Sequence, residues 1–551
     1  MRFRDGSTHP GPTIESPRGD FSVRDCVSGW RFLTGVMFLS VVTLTEQPLR
    51  SSELFQSSAD RSCDTRWLPP DPSWALQEQE VWRAQCGRGI ADVSQVQATE
   101  IRVPFLRQLL NSEPYRSVIA RNGFRLKGAH FRDALELPNI AIMSDLLLME
   151  CSFDQGVDLR GLHLEGMLSL QGSNIHGSVN LSLVSAKSID FSGASTVDGT
   201  INMNQAVAPD GINLDALTVH GLLMFGEARL GLLWLQGARV DRMLYLGDAD
   251  ISGAITMREV EVKGDLQMPK LKFSSINLKN ARIAGDVSFE GARPSSRTSR
   301  VDLSGARMER ALVLGSSSTN PRAKPYGPVP WKDAEVLDLR NAYVRDMHDG
   351  IKPCDESDCA DTWPRRLELT GFVYDQLGPF DEGNTSDMSE RPTWWWTEWL
   401  ARQRPYSPQP YEQLASVLSK LGYRDRAREI LYESKDRERK ETTSRSERVV
   451  LSLQRAFIGY GYYPYYSLWW VLGFVVLGAL VLRVSGEGAR NHMPFGIAYS
   501  LDMLLPVIKL RKAHYAIELR GWPRYYFYGH KLMGYVLASF VVAAVGGLTQ
   551  A

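Results

Sequence analysis

Apolar residues recur every eleven positions along the centre of the chain. Leu126, Leu137, Leu148, Leu159, Leu170 and Leu181 form one series. Phe131, Ile142, Phe153, Leu164 and Ile175 form a second, also in steps of eleven. Interleaved, they leave gaps of five and six. A helix would repeat every three or four residues and a simple strand every two. Gaps of five and six describe a chain that turns a corner at each step and points one side chain inward per face. Four faces of five, six, five and six close a coil of about 22 residues, within the range of repeat solenoids. The predicted fold is therefore mainly β: a parallel β-helix over residues 121–378, a pentapeptide-like solenoid with its inward leucines stacked in a ladder. Glycine and alanine, as in Leu126-Lys-Gly-Ala129 and Leu235-Gln-Gly-Ala238, suit corners where a larger side chain would crowd the turn. After Leu181 the phase slips across Phe191, Val197 and Met203, then resumes from Leu214 to Met268.

A stack of this kind needs caps, because bare edge strands invite aggregation. Residues 71–120 supply a predicted helical N-terminal cap. Asp71 to Glu80 carries a capping pattern before Val81 and Trp82, and Phe105, Leu106, Leu109 and Leu110 make a helical stripe. Beyond the solenoid, 393–457 reads as a helical hairpin region. Leu414, Val417, Leu418 and Leu421 form one stripe, Gly422 stops it, and Ala427, Ile430 and Leu431 begin the next, as in a single tetratricopeptide unit. The charge mixture at Lys435–Arg448 reads as a solvated helix face.

Both ends of the chain carry membrane signals. Residues 1–45 form a basic leader with an apolar run at 33–44, the length of a signal-sequence core or an uncleaved anchor; 46–70 is a linker. Residues 458–551 form a predicted membrane domain with spans near 466–483 and 531–548, the first preceded by tyrosines and the second by Trp522 and tyrosines, as in an interfacial belt. The loop from Arg483 to Lys531 holds eight Lys/Arg against three acids, and Glu433 to Arg455 holds seven against five. This bias places the loop in the cytoplasm and the solenoid outside it. Residues 494–510 between the spans form either an interfacial helix or a re-entrant segment around Asp502 and Pro506. Ile458-Gly-Tyr-Gly461 has the letters of a potassium filter, but it precedes the first span.

Six cysteines are too few for a disulfide scaffold. Cys63 and Cys86 flank the segment before the solenoid, and Cys354 and Cys359 close a short acidic loop after it; both pairs are disulfide candidates in an oxidising compartment. Cys151 reads as a buried thiol. The histidines do not cluster with the cysteines, so no metal site is expected. No Walker loop, His-Glu-x-x-His or Gly-x-Ser-x-Gly element occurs, and Gly486-Glu-Gly488 lacks a dinucleotide context. No catalytic residue and no cofactor is assigned. Asp154, Asp158 and Asp190 would suit a carbohydrate-cleaving β-helix if they shared a face, and solvated turns otherwise. Sixty-three basic against 63 acidic residues argues against a dedicated nucleic-acid binder.

Tyr406-Ser-Pro-Gln-Pro-Tyr-Glu-Gln-Leu-Ala-Ser-Val-Leu418, Ile458-Gly-Tyr-Gly461, Tyr499-Ser-Leu-Asp-Met-Leu-Leu-Pro506, Gly546-Gly-Leu-Thr-Gln550, Glu113-Pro-Tyr-Arg-Ser117 and Gly123-Phe-Arg-Leu-Lys-Gly-Ala129 carry a resemblance. Across most of the chain beyond residue 70 it resembles an uncharacterised group of bacterial membrane proteins that join pentapeptide-like repeats to a two-span C-terminus. Some of that group are labelled membrane-associated oxidoreductases, which implies a redox cofactor; the sequence supplies no site for one. The leading expectation is a non-enzymatic, membrane-anchored binding or scaffold protein of the bacterial inner membrane. Its solenoid is periplasmic, and its partners are the bilayer and a protein or envelope polymer. A membrane-linked enzyme (oxidoreductase or carbohydrate-acting) and a channel-like assembly remain the alternatives.

Overall fold

The computed structural model describes residues 68–315 apart from 88 and 96–98, then 331, 334–350, 363–378, 388–493, 496–505 and 511–548. Over the central part, every residue of both eleven-step series is buried, and each coil carries short strands on four faces. The first face begins with Phe124–Lys127 and Leu146–Met149, the second with His130–Phe131 and Ser152–Phe153, the third with Leu135–Glu136 and Val157–Asp158, and the fourth with Ala141–Ile142 and His163–Leu164. All pairings are parallel and join each coil to the next: Leu126 lies beside Leu148, Phe131 beside Phe153, and Leu135 beside Val157. Like therefore stacks on like. The rings of Phe131 and Phe153 lie 4.9 Å apart and 7° from parallel. Full burial of such side chains contributes about 1.5–3 kcal/mol each, so the ladder dominates the stability of the coil.

The phase slip after Leu181 leaves the coil intact. Leu168 pairs with Ile189 and Ile189 with Ile212, steps of 21 and 23 that cancel. The second and third faces keep their step of 22 there, with Ile175 beside Val197 and Val179 beside Ile201.

The corners differ from the glycine–alanine expectation. Two corners per coil place one residue in the left-handed region, and these residues also recur every eleven positions: Gly128, Asn139, Glu150, Gly161, Gly172, Leu183. Most of the later ones, such as Gln205, Glu227, Glu259 and Lys270, are not glycine. A left-handed L-residue costs about 1–2 kcal/mol, which the neighbouring parallel ladders outweigh. Backbone proximity makes glycine necessary at another corner. There Gly156, Gly177, Gly199 and Gly221 lie over one another, and a Cβ on Gly221 would sit 2.4 Å from the Gly199 carbonyl oxygen.

The later coils lengthen in one place. Val301 pairs with Leu337 and Leu337 with Leu367, steps of 36 and 30. In both, the chain leaves after the third face and returns at the first, so the fourth-face ladder ends at Arg293–Pro294. Trp331 fills the gap edge-on to Phe289 at 5.2 Å.

At the N-terminal end α1 (Leu76–Cys86), α2 (Val103–Asn111) and α3 (Tyr115–Asn122) form the cap, and Ala91–Asp92 adds a strand beside Leu126 and Lys127. The N-cap of α1 is Ala75, four residues beyond Asp71. The Glu78 carboxylate reaches back to the Ala75 N–H at 2.8 Å, while Asp71 is taken up by Ser73 in a turn.

At the other end α4 (Thr393–Ala401), α5 (Gln409–Lys420) and α6 (Arg424–Glu441) pack on the last coil. The hairpin α5–α6 is the predicted one, turning at Gly422, although Leu421 is exposed instead of joining the stripe. Arg391 forks onto Asp349 at 2.7 and 2.6 Å with both side chains buried, tying this block to the solenoid. The charged stretch after Lys435 is not wholly a solvated face. Asp436 is buried and binds Arg439, Lys440 and Arg455 at 3.0, 2.7 and 3.2 Å. Arg455 belongs to α7 (Arg445–Ile458), which Gly459 ends in a left-handed cap; the Ile458–Gly461 letters thus form a helix stop.

The chain continues as α8 (Tyr466–Val484), α9 (Glu487–Arg490), α10 (Ile497–Leu504) and α11 (Trp522–Leu548). Among the described residues α8 is the one helix long and apolar enough to cross a membrane, and only 28% of its apolar stretch is buried. The second predicted span, 531–548, lies in the C-terminal part of α11.

Candidate functional site

The second face of the solenoid carries an ordered set of polar side chains. The residue just after each second-face strand projects outward, and down the coils it reads Arg132, Asp154, His176, Asp198, His220, Asp241, Lys263. Acid and base alternate because residues 21 or 22 apart become neighbours. The imidazole Nδ1 of His176 meets Asp198 at 2.9 Å, and that of His220 meets Asp241 at 2.8 Å. Lys263 reaches Asp241 at 2.7 Å from the opposite side, and His130 reaches Asp154 at 2.9 Å. The hydrogen bond from His220, then that from Lys263, holds the Asp241 carboxyl below its usual value. Thr218, His220, Arg239, Asp241, Glu261 and Lys263 line a groove of about 370 Å³ on this face. Exposed ion pairs contribute only about 0–1 kcal/mol each, so the column adds little to stability. What it provides is a strip of alternating acidic and basic side chains at coil spacing.

The three aspartates considered for glycoside chemistry do not share a face. Asp154 is on the second, Asp158 on the third and Asp190 on the first. Asp158 accepts the Arg160 N–H at 3.1 Å and Asp190 the Ser192 N–H at 2.9 Å, as corner residues do.

A second cavity, of about 440 Å³, lies where the last coil meets α4 and is lined by Arg365, Arg366, Arg402, Arg404, Glu398 and Ala401. Arg366 is held by Glu368, and Arg402 donates to the carbonyls of Trp363 and Pro364. The acid-rich stretch 355–361, next to it in sequence, lies outside the described residues.

Asp502 is fully buried on α10, which packs between α8 and α11. Its Oδ2 accepts from His514 at 3.0 Å and from the Arg511 N–H at 3.2 Å, and Tyr515 donates to its backbone carbonyl at 3.1 Å. Two residues earlier on α10, the Ser500 carbonyl meets His530 at 3.0 Å, and His530 also meets the Tyr526 hydroxyl at 3.3 Å. Pro506 lies outside the described residues.

Cys86 is buried at the end of α1, whereas Cys63, Cys354 and Cys359 lie outside the described residues. Cys151 is a free, buried thiol, as expected, and burial pushes its pKa up to about 12.

Sequence reasoning overlooked His176, His220 and their partners, and also His514 and His530. For the first pair the signal was present: once the coil length is known, His176 and Asp198 must be neighbours. No family model, curated protein or solved structure matches this chain.

Proposed function

We propose that the chain is a non-enzymatic, membrane-anchored β-solenoid that binds or scaffolds a partner in the bacterial envelope. In this reading α8 and α11 cross the inner membrane and the solenoid stands in the periplasm. The observation that carries it is the juxtaposition, in one chain, of an ordered column of paired acidic and basic side chains with an apolar helix that is mostly unburied. Rigid repeats present extended surfaces without ordering cost, and the second face offers such a surface to a charged protein or polymer. The Lys/Arg bias of the loop after α8 supports the orientation, and the buried position of Cys86 suits a disulfide to Cys63. The test is alkaline extraction of membranes, followed by affinity purification of the wild type and of a His176→Ala/His220→Ala/Lys263→Ala variant in detergent. A partner retained by the first and lost by the second supports the reading; release of the protein by alkali contradicts it.

A channel-like assembly is the second reading. It is favoured by α10, a short helix whose Ser500, Asp502 and Leu504 are buried between two long ones. Ion flux in liposomes that depends on Asp502 would support it.

A further inference from the structure

α7 is a helix with an apolar stripe that is largely exposed among the described residues. Its only buried residue is Leu451, and Arg455 turns inward to Asp436. On the outward side Val449, Val450 and Leu453 are 59%, 52% and 53% exposed. These lie at i, i+1 and i+4, one stripe of a helix. At its C-terminal end the helix is joined to α8. Phe457 stacks on Trp470 at 4.6 Å, and the Trp470 indole donates to the Ala456 carbonyl at 2.8 Å. The apolar stripe of α7 therefore meets α8 at Trp470, and Leu468, Trp469 and Leu472 of α8 are exposed as well. At the other end of α7, Arg445 and Arg448 are exposed beside the stripe.

We propose that α7 lies along the membrane surface, with Val449, Val450 and Leu453 in the headgroup–acyl boundary and Arg445 and Arg448 among anionic phospholipid headgroups. This rests on the reading of α8 as a membrane span. An exposed apolar stripe flanked by arginines is what an interfacial helix requires, and juxtamembrane arginines are attracted by anionic lipid. The helix would then fix the tilt of the solenoid relative to the bilayer, because the buried Asp436 binds it to α6 through Arg455.

The experiment places a photoreactive benzoylphenylalanine at position 450 or 453 of the full-length protein in vesicles of phosphatidylethanolamine and phosphatidylglycerol. Position 469 on α8 and the exposed Ser416 of α5 serve as references. Mass spectrometry is expected to find phospholipid adducts at 450, 453 and 469 and none at 416. Lipid adducts at 469 with none at 450 or 453, or protein adducts in their place, overturn the interfacial helix and leave the span standing. Absence of lipid adducts at all four positions removes both.

Discussion

The side-chain amide of Gln85 takes the place of a neighbouring strand at Arg125, donating from Nε2 to the Arg125 carbonyl at 2.7 Å and accepting the Arg125 N–H on Oε1 at 3.0 Å. The opposite end of the solenoid is closed the same way. Leu369 N–H donates to Gln403 Oε1, Gly371 N–H donates to Gln409 at 2.8 Å, and Gln413 donates to the Tyr374 carbonyl at 2.6 Å. A parallel β-helix must leave unpaired backbone at both ends. Here glutamines of the two caps, on α1 and α5 and, for Gln403, in the link between α4 and α5, satisfy part of it.

Replacing Gln85 by Leu keeps the volume and strands two buried backbone groups. An unsatisfied buried group costs about 1–3 kcal/mol, so for two groups the N-terminal cap should loosen by about 2–6 kcal/mol. Hydrogen exchange at residues 124–127 should accelerate accordingly, and light scattering should detect end-to-end association.

Leu170→Asp places an unpaired charge in the fully buried ladder, a cost of several kcal/mol. Limited proteolysis should open the coil around residue 170 first. Unchanged thermal stability and protease resistance would argue against the inward position of this side chain.

The two kinds of corner should respond oppositely. Glu259 is exposed at φ 57°, so Glu259→Gly should stabilise by roughly 0.5–1 kcal/mol as left-handed strain is relieved and offset by glycine entropy. Gly221→Ala should destabilise, because the added Cβ meets the Gly199 backbone. Melting temperatures that move in the same direction for both would contradict this account.

The N-terminal cap should be acid-labile. Burial favours the neutral form of Glu78, but hydrogen bonds from Arg102 and from the Ala75 and Arg102 N–H groups outweigh it and hold its pKa below the usual value of 4.5. A depressed carboxyl contributes its full stability above the unfolded pKa and loses it as pH falls through the folded one. Stability should therefore decline on acidification below about pH 4.5. Glu78→Gln should flatten that decline, as melting temperatures between pH 3 and 6 would record.

Much of the fold is legible in the sequence, because one inward side chain per face leaves a five–six rhythm that no other element produces. The corners were less legible. Glu150 and Leu183 occupy a left-handed position that composition does not mark, since stacked ladders hold it from either side. The caps were visible as helices, yet the role of Gln85 and Gln403 was hidden, because an amide that completes a sheet looks like any surface glutamine until the chain is closed on itself. The polar column is an intermediate case: its pairs are encoded by spacing, but only after the coil length is known. Asp502 stood out as an acid between apolar stretches, whereas its partner His514 carried no such mark.

The added length of the late coils enters on a single side. Because the chain departs after the third face and returns at the first, everything variable is gathered along one margin, and the opposite margin keeps its columns unbroken through Val373–Leu377. Reach and decoration are thereby separate properties of this molecule. A relative that gained one more 22-residue unit would grow by one strand spacing, about 4.8 Å, with both terminal plugs unchanged. One that gained a longer detour would present new chemistry at the margin without altering its reach.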